Sequence, residues 1–440
     1  MSAQSFTEWW RPAGVTEPIS APVATAAEEN NSLVPLRALL CFSVILLLAP
    51  QQAFPVLAPL RIAMLTAVFA LLSMGCSRLA RGQPLLEMSR GAWIALILAS
   101  WAVLTIPFSY WPGGTVNFLL REYFKTLVVF VLLINIVDTV PKLRSICWVL
   151  VLCSIPLALT SISHFVSGTL FSENTARIAG YNGPLTANPN DLALVLNILL
   201  PFCIALFLSS RRAAIKAFLG VAICLLVAGI IFTFSRGGFL TLAVMFMTYF
   251  WVLRKRPERV WAPLALLFAL ASLPFLPSSY MDRISTITNI EADASGSAQN
   301  RWSDMKAATG LAVRSPVIGS GAGMNILAMN EARGATWTEI HNAYLEYAVD
   351  LGIPGLVLFL MLYFTCMAQT KAVLVTTSRH RDRDDLFYLA EAVRVSLIGF
   401  AVAAFFHPVA YNFYFYYLAG LAIAVNSICQ KRYGPLAAAE

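Results

Sequence analysis

Long apolar runs separated by short polar stretches set the pattern of this chain. They fall at about residues 34–50, 54–75, 91–107, 118–137, 145–167, 191–209, 213–234, 238–253, 260–276, 354–370, 388–406 and 411–429. A helix of about 20 apolar residues matches the hydrocarbon thickness of a bilayer. The pattern therefore predicts an all-α polytopic membrane protein with about twelve transmembrane helices. One long polar interval stands out between the ninth and tenth runs. The expected organisation is a tail over 1–33, helices 1–9 over 34–276, one large loop with a surface helix over 277–353, helices 10–12 over 354–429, and a tail over 430–440.

Inside the large loop, Gln299 to Val313 carries Trp302, Met305, Ala308 and Ala312 at helical spacing, with Arg301, Asp304 and Lys306 elsewhere around the helix. This predicts an amphipathic helix on the membrane surface. Pro316 ends it. Gly319-Ser-Gly-Ala-Gly323 then reads as a plain turn or as a backbone cradle for a phosphate, and it lacks the Lys-Ser/Thr of a P-loop. A helix capped by Thr338 and running to Thr370 would be about 50 Å long, more than a bilayer needs. Gly352, Pro354 and Gly355 offer a break, which predicts a shelf over 338–351 above the spanning segment. The shelf lifts Glu346 and Asp350 out of the hydrocarbon, where each would cost about 3 kcal/mol. A smaller loop, about 168–190, runs through Arg177-Ile-Ala-Gly-Tyr-Asn-Gly-Pro-Leu-Thr-Ala-Asn-Pro-Asn190-Asp191. Asn188, Asn190 or Asp191 is a natural cap for the helix that follows.

Composition sharpens the reading. Of 440 residues, 58% are hydrophobic and 12% charged, and the mean hydropathy is +0.71, which excludes an ordinary soluble domain. The net charge of +8 raises nucleic acid as a partner. Its distribution argues against one. Arg78, Arg81 and Arg90, then Lys142 and Arg144, Arg211, Arg212 and Lys216, and Arg254, Lys255, Arg256 and Arg259 occupy alternate loops, as do Lys371, Arg379, Arg381, Arg383, Lys431 and Arg432. By the positive-inside rule both termini are cytoplasmic, and the 277–353 loop faces the exterior. Residues 1–33, with Glu8, Glu17, Glu28 and Glu29, do not form a signal peptide. The eight cysteines show no metal-type spacing, so neither disulfides nor a zinc site are expected.

Three histidines, His164, His341 and His407, map to outer ends of spans, whereas His380 sits among cytoplasmic arginines. His341 lies near the positive end of the shelf helix, which favours the neutral imidazole that a general base needs. An interfacial histidine bonded to a loop carbonyl is the plainer reading. Arg236, in Phe234-Ser-Arg-Gly-Gly238, occupies a tight outer turn and calls for an anionic ligand or a buried carboxylate. Arg121 and Lys125 flank Glu122 and can bind a headgroup or snorkel. Arg177, Arg301 and Arg314 add outer positive charge. Converging guanidinium groups suit a diphosphate, whose departure needs charge stabilisation rather than a protein acid.

These motifs resemble the O-antigen ligase and polymerase superfamily, membrane glycosyltransferases with a Wzy-C type domain. The resemblance rests on Phe234-Ser-Arg-Gly-Gly238, on Arg301-Trp302 followed by Ser315-Pro-Val-Ile-Gly-Ser-Gly321, and on His341-Asn-Ala-Tyr-Leu345 leading to Gly352-Ile-Pro-Gly355. It covers about 170–370. It implies transfer of a glycan from undecaprenyl diphosphate to an acceptor hydroxyl at the periplasmic face of the inner membrane, without metal or nucleotide cofactor. Arg236 and Arg301, with Arg177, would bind the diphosphate, and His341 would activate the acceptor hydroxyl. Arg121, Lys125 and Arg314 are secondary candidates. The acceptor would be lipid A core in a ligase, another carrier-linked glycan in a polymerase, or a protein side chain in a related branch; the single large loop favours the ligase. A transporter of lipid-linked glycan is the alternative from another class, but it needs charges near the bilayer midplane and internal repeats, which this sequence does not show. A structural scaffold leaves Arg236 unexplained.

Overall fold

A computed structural model describes residues 33–167, 171–172, 175–176, 188–254, 256–261, 297–334, 337–378 and 385–434. The described chain is almost entirely helical: α1 (Val34–Leu48), α2 (Ile62–Leu79), α3 (Arg90–Leu104), α4 (Pro112–Phe118), α5 (Phe124–Ile136), α6 (Val140–Val166), α7 (Pro189–Ser209), α8 (Ala213–Phe232), α9 (Arg236–Leu253), α10 (Ser297–Arg314), α11 (Asn325–Arg333), α12 (Ala343–Ser378), α13 (Asp385–Ala403) and α14 (Phe413–Tyr433). A two-residue antiparallel pairing, Phe171–Ser172 with Thr175–Ala176, interrupts it.

Nine described helices are long and apolar enough to cross a membrane, so the protein is a multi-pass membrane protein. About twelve were expected. The difference has three sources. The run at 34–50 is a helix of 15 residues. The run at 118–137 is split by a π-turn at Leu119–Tyr123, leaving 13 residues in α5. The run at 260–276 lies almost wholly outside the described residues.

α7, α13 and α14 form the centre, with 78%, 78% and 83% of their apolar windows buried, whereas Pro55–Leu79 is 6% buried and turns its side chains outward. Such outward apolar faces suit lipid contact. Inside, phenol hydroxyls satisfy one another: Tyr123 with Tyr416 at 2.8 Å and Tyr416 with Tyr347 at 3.1 Å. At the ends of α9 and α13 far from His341, Arg256 pairs with Glu391 at 2.7 Å and stacks on Phe387, and Glu258 accepts from Tyr388.

The break in α12 falls where expected. Gly352 has φ 69° and ψ −174° inside the helix. Each backbone group released there finds a new partner. Val349 O loses Ile353 N–H and accepts from Ser320 N at 2.7 Å, while Ile353 N donates to Pro316 O at 2.7 Å. Asp350 O faces Pro354, which has no N–H, and accepts from Gly321 N at 2.8 Å. Leu351 O accepts from the Trp101 indole N–H at 2.8 Å. The Gly319–Gly323 segment is therefore a clasp on the helix end. Gly323 N donates to the Asp350 carboxylate at 2.8 Å, and Asn325 joins at 3.1 Å. The anion in this glycine turn is the protein's own, which answers the phosphate-cradle alternative.

Two expectations need correction. The shelf helix starts at Ala343, not near Thr338. Asn342 Oδ1 accepts from Tyr344 N and Leu345 N, each at 3.0 Å, a better cap than Thr338, whose hydroxyl finds no hydrogen-bond partner among the described residues. His341 therefore precedes the helix. Trp302, expected on the apolar face of α10, is 56% exposed, whereas Ala308 and Ala312 are buried with Ala328, Met329, Ile340 and Val349. The inward face of α10 also carries Asp304, which pairs with Arg333 on α11. On that face the Asp304–Arg333 pair joins α10 to α11.

Candidate active site

Four segments distant in sequence are joined by contacts that lead to His341. The first is the start of α7, where Asn188 caps the helix by accepting from Asn190 N at 2.9 Å. Asn190 and Asp191 are left to reach across to other elements. The second is the Phe234–Gly238 turn. Phe234 sits at φ 53°, a left-handed conformation unusual for a phenylalanine, and it reverses the chain between α8 and α9. Ser235 caps α9 by accepting from Gly238 N at 3.1 Å and donates its hydroxyl to Asn190 Oδ1 at 2.8 Å. Gly238 lies so close to α7 that a Cβ would stand 2.5 Å from Ala193 Cβ. Arg236 is the first residue of α9, beside these contacts.

The third segment is α10, whose first turns carry Arg301, partly buried. The fourth is the pair of connections that precede α12 and follow α13. Ala343 N donates to Ala404 O at 2.8 Å, joining the start of the shelf to the loop that holds His407. His407 is 2% exposed, and its Nδ1 lies 3.5 Å from Asp191 Oδ1.

His341 Nδ1 stands 3.0 Å from Glu339 O. A carbonyl oxygen can only accept, so in the neutral ring the proton belongs on Nδ1 and the lone pair on Nε2. Partial desolvation, then the Arg301 guanidinium, push His341 below its ordinary value of 6.5; His407 also lowers it, while the Glu339 carbonyl and Asp191 act in the opposite sense. Desolvation and Asp191 raise the Glu339 carboxyl above 4.5. The imidazole is thus held neutral near pH 7, with a basic nitrogen available.

Residues 221–360 match the Wzy_C family model, described as O-antigen ligase. The match covers about a third of the chain and supports the O-antigen ligase superfamily. No curated protein matches the chain. The O-antigen ligase domain, as matched, contains Arg236, Arg301, Arg314 and His341 but neither Asp191 nor His407. Its superfamily comprises membrane glycosyltransferases and acts on lipid-linked glycans and their acceptors.

The other candidates from the sequence fall as follows. Arg177 lies outside the described residues. Arg121 and Lys125 are exposed beside the π-turn, with Lys125 at 3.9 Å from Glu122. Arg314 lines a pocket of about 260 Å³ with Tyr110, Ser315, Ser320 and Glu331. That pocket does not include His341. Sequence reasoning passed over His407 as a helix-end residue, and no local signal marks it, because its partner Asp191 is more than two hundred residues away in the chain.

Proposed function

We propose that this protein transfers a glycan from undecaprenyl diphosphate to an acceptor hydroxyl at the periplasmic face of the inner membrane, without a metal, with lipid A core as acceptor. Supporting this reading is an imidazole whose Nδ1 faces the Glu339 carbonyl, leaving Nε2 as the basic nitrogen, and whose charged form is disfavoured by desolvation and by Arg301. In the reaction the acceptor oxygen attacks the anomeric carbon and the bond to the diphosphate oxygen breaks. The hydroxyl proton passes to His341 Nε2. Undecaprenyl diphosphate leaves with its negative charge held by Arg236 and Arg301, with Arg177 as a further diphosphate ligand. The alternation of basic loops supports cytoplasmic termini and a periplasmic site.

The test is reconstitution of the purified protein with carrier-linked glycan and either lipid A core or a second carrier-linked glycan. Product on lipid A core is the expected result. Lengthened carrier glycan instead would make the protein a polymerase. His341→Ala should lower transfer by about 10²- to 10⁴-fold while membrane insertion stays normal. Unchanged transfer would remove His341 from the mechanism.

A further inference from the structure

The Asp191–His407 pair has no part in the reaction as written above, although it stands in the same cluster as His341. Asp191 is near the start of α7 and has a side chain 25% exposed; His407, in the loop before α14, is buried beneath it with Nδ1 3.5 Å from the carboxylate. The surroundings lock both. Asn190, next to Asp191, is bound by Ser235. Phe406, next to His407, packs so closely on Gly237 that a Cβ there would stand 3.2 Å from it. Ala404 O, three residues before His407, holds the first residue of the shelf through Ala343 N. The pair joins the start of α7 to the loop before α14, and its chain neighbours Asn190, Phe406 and Ala404 carry the contacts onward to the Arg236 turn and the start of the shelf.

We propose that Asp191 and His407 form a positioning pair for His341, fixing the imidazole against the α7 start and the Arg236 turn. A clamp made only for stability has no need of two ionisable groups here, where a packed apolar contact would serve as well. Both groups also act on His341 through space, in opposite senses: Asp191 favours its charged form and His407 opposes it. Among the described residues, the charged and titratable groups that act within this cluster are Asp191 on α7, Arg301 on α10, Glu339 in the approach to α12, His407 before α14, and Tyr414 on α14, which also feels Asp191, with Arg236 in the adjoining turn. The opposed signs give the pair a signature that simple loosening would not produce.

With only four histidines in the chain, each can be followed separately. The full-length protein in lipid nanodiscs is treated with diethyl pyrocarbonate across a pH series, and modification of His341 is read by peptide mass spectrometry. Asp191→Asn should move the His341 midpoint to lower pH, and His407→Gln should move it to higher pH. Identical midpoints in wild type and both variants, or shifts in the same direction, would overturn the proposal. The role in catalysis rests on the transfer function proposed above and is read separately. In reconstituted transfer each variant should lose about 10- to 100-fold in kcat with KM unchanged, and wild-type kcat in both would refute positioning. If the wild type transfers nothing while the midpoints move oppositely, the transfer reading fails and the pairing with His341 stands.

Discussion

Replacing Gly352 by alanine tests the account of the α12 break. Gly352 sits at φ 69°, and an added Cβ would stand 2.3 Å from Val317 O, 2.5 Å from Val317 C and 2.8 Å from Pro316 O. The left-handed backbone alone costs about 1–3 kcal/mol for a residue with a side chain. The clash adds to this, because the atoms met are backbone and cannot swing aside. Moving Pro316 and Val317 strains the Ile353 N to Pro316 O bond of 2.7 Å, worth about 1 kcal/mol. The sum is about 2–4 kcal/mol. Gly310 is the control: it lies within α10 with nothing within 4 Å of an added Cβ, so Gly310→Ala should gain about 0.5–1 kcal/mol. The assay is thermal unfolding in nanodiscs, where about 2 °C per kcal/mol for a large chain gives a fall of roughly 4–8 °C for Gly352→Ala. Transfer should fall with it, because the shelf bearing His341 is aimed by this joint. A Gly352→Ala protein as stable as Gly310→Ala would refute the reasoning.

Asn342→Ala removes the cap of the shelf and should cost about 0.5–2 kcal/mol, most of which Asn342→Asp restores; melting curves of the two variants decide it. Arg256→Met leaves Glu391, 4% exposed, without its cation, and should destabilise by about 3–5 kcal/mol. The double variant Arg256→Met with Glu391→Leu should recover most of that loss in the same measurement. For pH, a base is active only when unprotonated, and His341 is held below 6.5; transfer should therefore persist below pH 6.5 and fall through the lowered His341 value, with the acid limb moving to lower pH in Asp191→Asn.

The spans, the Gly352–Pro354 break and the His341 and Arg236 motifs were legible because each has a local cause: apolar length, a residue lacking N–H, a tight turn. What escaped reading depends on partners far along the chain. The helix starts at Ala343 rather than near Thr338, capped by Asn342 and bonded at Ala343 N to Ala404, about sixty residues later. The Asp304–Arg333 pair that joins α10 to α11 binds residues about thirty apart in the chain. The glycine turn clasps α12 because Asp350, about thirty residues later, supplies the anion. The Asp191–His407 pair joins segments that no periodicity connects.

The clasp at Gly352 has a mechanical consequence. With three carbonyls of one helix end gripped by Ser320, Gly321 and Trp101, that end of the shelf is a fixed pivot. The opposite end is tied as well, through Ala343 N on Ala404 O, so the shelf is held at both ends and His341 is carried in by the non-helical approach from Trp337. The reach of His341 is then set by that short approach and by the two ties that bound the shelf.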